Sequence, residues 1–132
     1  MGDDFSITEE TLQDVHVVAV AGELDRFTAH QLNLTLERAI RIGRTHLVID
    51  LTATTFFDST AYAVLIGASK RARSYDGWLA LVLPDASARQ RFEMAGLDQL
   101  FPIYDTRDEA LGATPPPMPR TREVTNGRDT DR

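Results

Sequence analysis

The chain contains no cysteine. That absence removes disulfides, thiolate zinc sites and a cysteine nucleophile together. It also lacks any long apolar run. The longest, Val15 to Ala21 and Ala61 to Ala68, fall far short of the ~20 residues that cross a bilayer. No basic start followed by an apolar segment marks a secretory leader. These absences fit a cytoplasmic protein with no membrane partner. Positive charge is scarce: 14 Lys and Arg stand against 20 Asp and Glu, a net charge of −6. A nucleic-acid binder normally carries a basic face, so no nucleic-acid partner is expected. Catalytic signatures are missing as well. There is no phosphate-binding loop of the P-loop or dinucleotide type and no Gly-x-Ser-x-Gly elbow. His16, His30 and His46 lie on different elements without metal-ligand spacing. Neither a metal nor a cofactor is expected, no residue reads as catalytic, and the chain is not expected to be an enzyme.

What is present suits one domain. The 132 residues are 42% hydrophobic, enough for a single core. Phe5 to Glu9 alternates apolar and polar, the period of a strand. Val15 to Ala21 is nearly continuous in apolarity and β-branched, as in a buried strand. Glu10 to Asp14 would join the two as a hairpin, and Gly22-Glu23-Leu24-Asp25 would end the second. Leu32, Leu36, Ala39 and Ile40 form one stripe of a helix over about 28–42, with Glu37 and Arg41 paired on its surface. His46 to Leu51 reads as a short buried strand followed by a loop, 52–57. A helix then runs from about Ser59 to Tyr75, stopped by Asp76-Gly77. Trp78 to Leu83 is another buried strand, halted by Pro84. Asp85 or Ser87 caps a helix reaching Ala95, with Gly96 just beyond. Phe101 to Tyr104 is an edge strand, since Pro102 cannot donate to a ladder. Thr106 to Leu111 is a last short helix.

The order is therefore ββαβαβαβα, an α/β fold with a mixed, mostly parallel β-sheet after the opening hairpin. The domain spans 1–112 and carries a net charge of −7. Residues 113–132 are Pro-rich and then polar, with too little apolar surface to fold, and are expected to be disordered.

The run Phe56-Phe57-Asp58-Ser59-Thr60-Ala61 holds two hydroxyls between an acid and an apolar helix. Ser59 or Asp58 can cap that helix by accepting a bond from a free backbone N–H. Ser59 can equally serve as a phosphorylation acceptor, because a helix N-terminus tolerates phosphate. Such an acceptor needs no base of its own, since the kinase supplies it. Glu23 and Asp25 end a neighbouring strand. They read either as a solvated loop with Asp25 capping the next helix, or as an acidic rim shared with Asp58 and Ser59. On the helix after Ser59, Ala61, Val64, Leu65, Ala68 and Ala72 form the core stripe. Tyr62, Ile66 and Ser69 lie on a second face, either buried or in contact with a partner.

Three segments together resemble a known family. Gly22-Glu23-Leu24-Asp25 is similar to the Gly-Glu-Leu-Asp signature of the anti-sigma factor antagonists, proteins of the STAS domain type related to SpoIIAA. Phe57-Asp58-Ser59-Thr60-Ala61 resembles their Asp-Ser-[Ser/Thr]-Gly phosphorylation motif, with Ala61 where the family has glycine. Phe92-Glu93-Met94-Ala95-Gly96-Leu97 is similar to their Phe-x-x-x-Gly-Leu turn. The resemblance covers about residues 5–111. It implies the STAS domain fold, with helices mainly on one face of the sheet. It implies partner switching: the unphosphorylated protein binds an anti-sigma factor that is also a serine kinase, and a sigma factor is released for transcription. ATP-dependent phosphorylation at Ser59, with Thr60 as the alternative acceptor, ends the binding, and a PP2C-type phosphatase reverses it. Carried onto this chain, Asp25 and Asp58 would present Ser59 to the kinase. The alternative is a STAS scaffold or regulatory subunit of a signalling complex or transporter that is never phosphorylated.

Overall fold

A computed structural model describes residues 4–116. It contains β1 (Ser6–Leu12), β2 (Val15–Leu24), α1 (Arg26–Arg41), β3 (His46–Phe57), α2 (Ser59–Arg73), β4 (Trp78–Val82), α3 (Ala86–Met94), a 3₁₀ turn (Leu97–Gln99), β5 (Ile103–Tyr104) and α4 (Arg107–Gly112). The five strands form one sheet in the order β1-β2-β3-β4-β5. β1 runs antiparallel to β2, and every later pair is parallel. Each crossover steps one strand further in the same direction. Right-handed connections then place α1, α2 and α3 on one and the same face.

The burial pattern follows from that topology. On the helix-covered face Val18, Leu24, Leu47, Ile49, Leu79 and Leu81 meet Leu32, Leu36, Leu65 and Phe92 in the main core. The other face is covered only in part, by α4. There Ala110 packs with Val17, Val48, Trp78, Ala80 and Val82. Arg107 pins α4 to the sheet: its guanidinium donates to Asp50 Oδ2 from Nε at 3.1 Å, and its Nη1 lies 2.6 Å from Glu10 Oε2. The other Asp50 oxygen accepts from the Thr52 backbone N–H at 3.0 Å.

The elements agree with the expected order, and several boundaries move. The opening hairpin closes over two residues, not five. Gln13 and Asp14 both have positive φ, 52° and 70°, as a two-residue turn matching strand twist requires. β2 does not end at Gly22. It continues to Leu24 through irregular pairing with β3 on either side of Gly22. Gly22 has φ +99°, and a Cβ there would stand 3.0 Å from Phe5 Cα, so glycine answers both backbone and space. β3 likewise runs on to Phe57, where a loop over 52–57 is expected from sequence. Its second half is held by the extended β2 rather than by its own apolar pattern. Glu37 turns to the Asn33 amide, 3.2 Å away, instead of to Arg41. The expected disordered tail lies, from residue 117, outside the described residues.

Candidate functional site

The parallel ladder brings two strand ends to one place. Leu24 pairs with Phe57, so the next residues, Asp25 and Asp58, leave the sheet side by side. The Asp58 N–H donates to the Leu24 carbonyl at 3.0 Å, tying the two exits together. Each aspartate has extended backbone and caps the helix that follows it. Asp25 Oδ1 accepts from the N–H groups of Phe27 and Thr28, both at 2.9 Å. The Asp25 N–H donates in turn to the Thr28 hydroxyl at 2.9 Å, completing a capping box with Thr in the usual Glu position. The Thr28 hydroxyl donates to the Glu23 carbonyl at 2.6 Å, which locks the end of β2 to the start of α1. Asp58 Oδ1 accepts from the Thr60 N–H at 2.7 Å.

The bonds to Asp25 favour its ionised form. The Thr28 backbone N–H is the largest influence on Asp25, and it outweighs partial desolvation. The Thr28 hydroxyl, the Phe27 N–H and the Arg26 charge act in the same direction, and together they hold Asp25 below the ordinary 3.8.

With Asp58 as the cap, Ser59 is the first residue of α2 and is exposed. Of the two candidate caps, the structure therefore selects Asp58. No hydrogen bond occupies the Ser59 hydroxyl among the described residues. Thr60, one residue on, is half-buried. Asp25, Asp58, Ser59 and Thr60 line a shallow cleft of about 430 Å³, joined by Arg26 and Phe27. Sequence reasoning passes over those last two. Arg26 lies with its guanidinium 5.3 Å from the Phe27 ring centre, and Phe27 is 71% exposed. The available signal is an unpaired arginine and an aromatic directly after a capping aspartate, outside the apolar stripe of α1.

The remaining predicted residues sit around this cleft. Glu23 is exposed at the end of β2, in register with the exposed Phe56, and does not line the cleft. Tyr62 is half-buried, with its ring edge-on to Phe92 at 5.0 Å. Phe92 also meets Phe57 edge-on at 5.3 Å. Phe92 thus props the first turn of α2 from beneath, linking the third sequence segment to the site. Gly96, after α3, has φ +79°, the left-handed value that glycine adopts without strain. Ile66 lies a turn beyond Tyr62, half-buried beside Leu100 and Phe101. The second face of α2 is therefore covered by α3 and the segment after it, and exposes only part of each side chain. Ala61, by contrast, is fully buried in the main core.

What this arrangement can do chemically is limited and specific. It presents the exposed Ser59 hydroxyl, with the half-buried Thr60 hydroxyl beside it, at the positive end of a helix in a cleft shared with two carboxylates and one guanidinium. Among the described residues no cluster of His, Asp or Glu is placed to hold a metal, and none of their helices is long and apolar enough to cross a membrane.

Comparison with known proteins agrees with this fold. The STAS domain profile matches residues 6–110. The anti-sigma F factor antagonist of Paenibacillus polymyxa is 28% identical over 109 residues, covering 82% of this chain and 93% of its own. The anti-sigma-B factor antagonist of Listeria monocytogenes is 33% identical over 96 residues, covering 72% and 83%. Among solved structures, an anti-sigma factor antagonist from Mycobacterium paratuberculosis superposes with a TM-score of 0.77 at 31% identity, over 86% of this chain and 96% of that one. With its sheet order, its one-sided helices and this match across nearly the whole described domain, the chain belongs to the STAS domain family, alongside relatives that are anti-sigma factor antagonists.

Proposed function

We propose that this protein is an anti-sigma factor antagonist that works by partner switching in the cytoplasm. The observation that carries the reading is the exposed, unengaged hydroxyl of Ser59 between the capping carboxylates Asp25 and Asp58. In its unphosphorylated form the protein binds an anti-sigma factor that is also a serine kinase, and a sigma factor is released. The contact surface is the cleft together with its rim: Glu23, Asp25, Asp58, Ser59 and Thr60, with the exposed parts of Tyr62 and Ile66. The kinase then transfers the terminal phosphoryl group of ATP to Ser59 Oγ. A new P–O bond forms, the bond to ADP breaks, and the hydroxyl proton passes to the kinase's base. The phosphate adds about −1.5 to −2 charge to a rim that already holds two carboxylates. Its local cost to the fold is small, because the free N–H groups and dipole of α2 favour an anion there. The added charge and bulk therefore act on the partner, which lets go. A PP2C-type phosphatase hydrolyses the ester and restores the hydroxyl.

The names of the curated relatives support the antagonist role. Exposure favours Ser59 over Thr60 as acceptor. The direct test is incubation with the cognate kinase and ATP, followed by intact mass and peptide mapping. One phosphate on Ser59, and none on Ser59→Ala, is expected. A phosphate confined to Thr60 would move the switch to the alternative acceptor, and no phosphate on either residue would instead favour a STAS scaffold that is never phosphorylated.

A further inference from the structure

A second cavity lies at the other end of the molecule from Ser59, between the C-terminal ends of α1 and α2. It measures about 610 Å³. α2 alone separates the two ends by roughly 20 Å at 1.5 Å per residue. Ile40, Gly43 and Tyr75 supply apolar surface to the cavity, and Arg41 and Arg71 supply two guanidinium groups. Neither arginine forms an ion pair among the described residues. Glu37 also lines the cavity, but one of its oxygens is engaged by Asn33. Arg71 reaches Asn33 Oδ1 only at 3.4 Å, and its Nε is buried with no partner.

Basic residues near helix C-termini complement the helix dipole, and that explains their charge. It does not explain a cavity of ligand size that sets two arginines, neither in an ion pair among the described residues, beside an apolar wall. We propose that this cavity binds a small organic oxyanion, a carboxylate or a phosphate monoester. Its charged end lies on Arg41 and Arg71, and its apolar or planar body lies against Ile40, Gly43 and Tyr75. Guanidinium groups recognise planar carboxylates and phosphates through paired N–H donors, and the aromatic ring offers a stacking face. The site is independent of Ser59, so its test does not depend on the proposed function.

The test is amide NMR titration of the full chain with three probes: phenyl phosphate, benzoate and inorganic phosphate. Saturable shifts at Gly43 and Tyr75 are expected for phenyl phosphate, for benzoate or for both, with a dissociation constant below about 1 mM. Which organic probe binds tells whether the oxyanion is a phosphate monoester or a carboxylate. Inorganic phosphate should bind at least about tenfold more weakly than the organic probe that binds better. Arg71 is packed between the helices, so its truncation risks unfolding. Arg41 and Tyr75 are exposed, and Arg41→Gln and Tyr75→Ala should each weaken binding at least about tenfold with the fold intact. Shifts that never saturate, shifts scattered over all arginines, inorganic phosphate binding as tightly as the organic probes, or no effect of Arg41→Gln would each overturn the proposal.

Discussion

At the scale of single residues, the site rests on two aspartates doing the same work on neighbouring strands. Asp25 is held ionised chiefly by the Thr28 backbone N–H. The sign of the consequence follows. A carboxyl whose folded pKa is lowered contributes stability above the unfolded value near 3.8 and loses it as pH falls through the lower folded value. Carboxyl-carbon NMR should therefore give Asp25 a midpoint below 3.8. A midpoint at or above that value would mean the capping box does not persist in solution. Ala61 stands where the resemblance implies glycine. Its methyl is fully buried in the core and does not face the cleft. Ala61→Gly should cost about 1 kcal/mol in denaturant unfolding, from the helix-propensity difference. If Ser59 is the acceptor, as proposed, its rate of phosphorylation should stay within about twofold, because the exposed surface of the cleft is unchanged. Faster phosphorylation at unchanged stability would contradict this placement of the methyl.

At the scale of elements, the helices were legible because their information is local. An apolar stripe at i, i+4, i+7 and a capping aspartate lie within a few residues of one another, and the structure places α1 and α2 accordingly. The second half of β3 was not legible. Thr52, Ala53, Thr55 and Phe56 are exposed, so no burial pattern marks them, and their strand geometry comes from pairing with β2. Phe27 and Arg26 were missed for a related reason: their meaning depends on the neighbouring strand delivering Ser59 beside them. α4 is short and is held by the buried Ala110 and by the Arg107 ion pairs. Arg107→Ala would leave one oxygen of the nearly buried Asp50 without its partner. It should destabilise the domain by about 1–3 kcal/mol. A loss under about 0.5 kcal/mol, typical of a free surface residue, would show that α4 does not depend on this contact.

At the scale of the whole molecule, a constant direction of right-handed crossovers explains the layout. It puts three helices on one face and aligns their N-terminal ends with the C-terminal ends of the strands. Asp25, Asp58 and Ser59 gather there, while Arg41 and Arg71 gather at the opposite pole. The fold order was readable from the alternation of buried strands and amphipathic helices, and the sidedness follows from the order. The role of Ser59 was not readable from spacing alone. A cap and an acceptor share the same position, and only the geometry assigns the cap to Asp58 and leaves the Ser59 hydroxyl free. The central claim is that negative charge at this hydroxyl decides whether the partner stays bound. Affinity for the cognate anti-sigma kinase, measured by calorimetry on Ser59→Ala and Ser59→Asp, tests it most directly. The account predicts that Ser59→Ala binds like the unphosphorylated protein. Ser59→Asp should bind at least about tenfold more weakly, a difference of about 1.4 kcal/mol. Equal affinities for the two variants would contradict it.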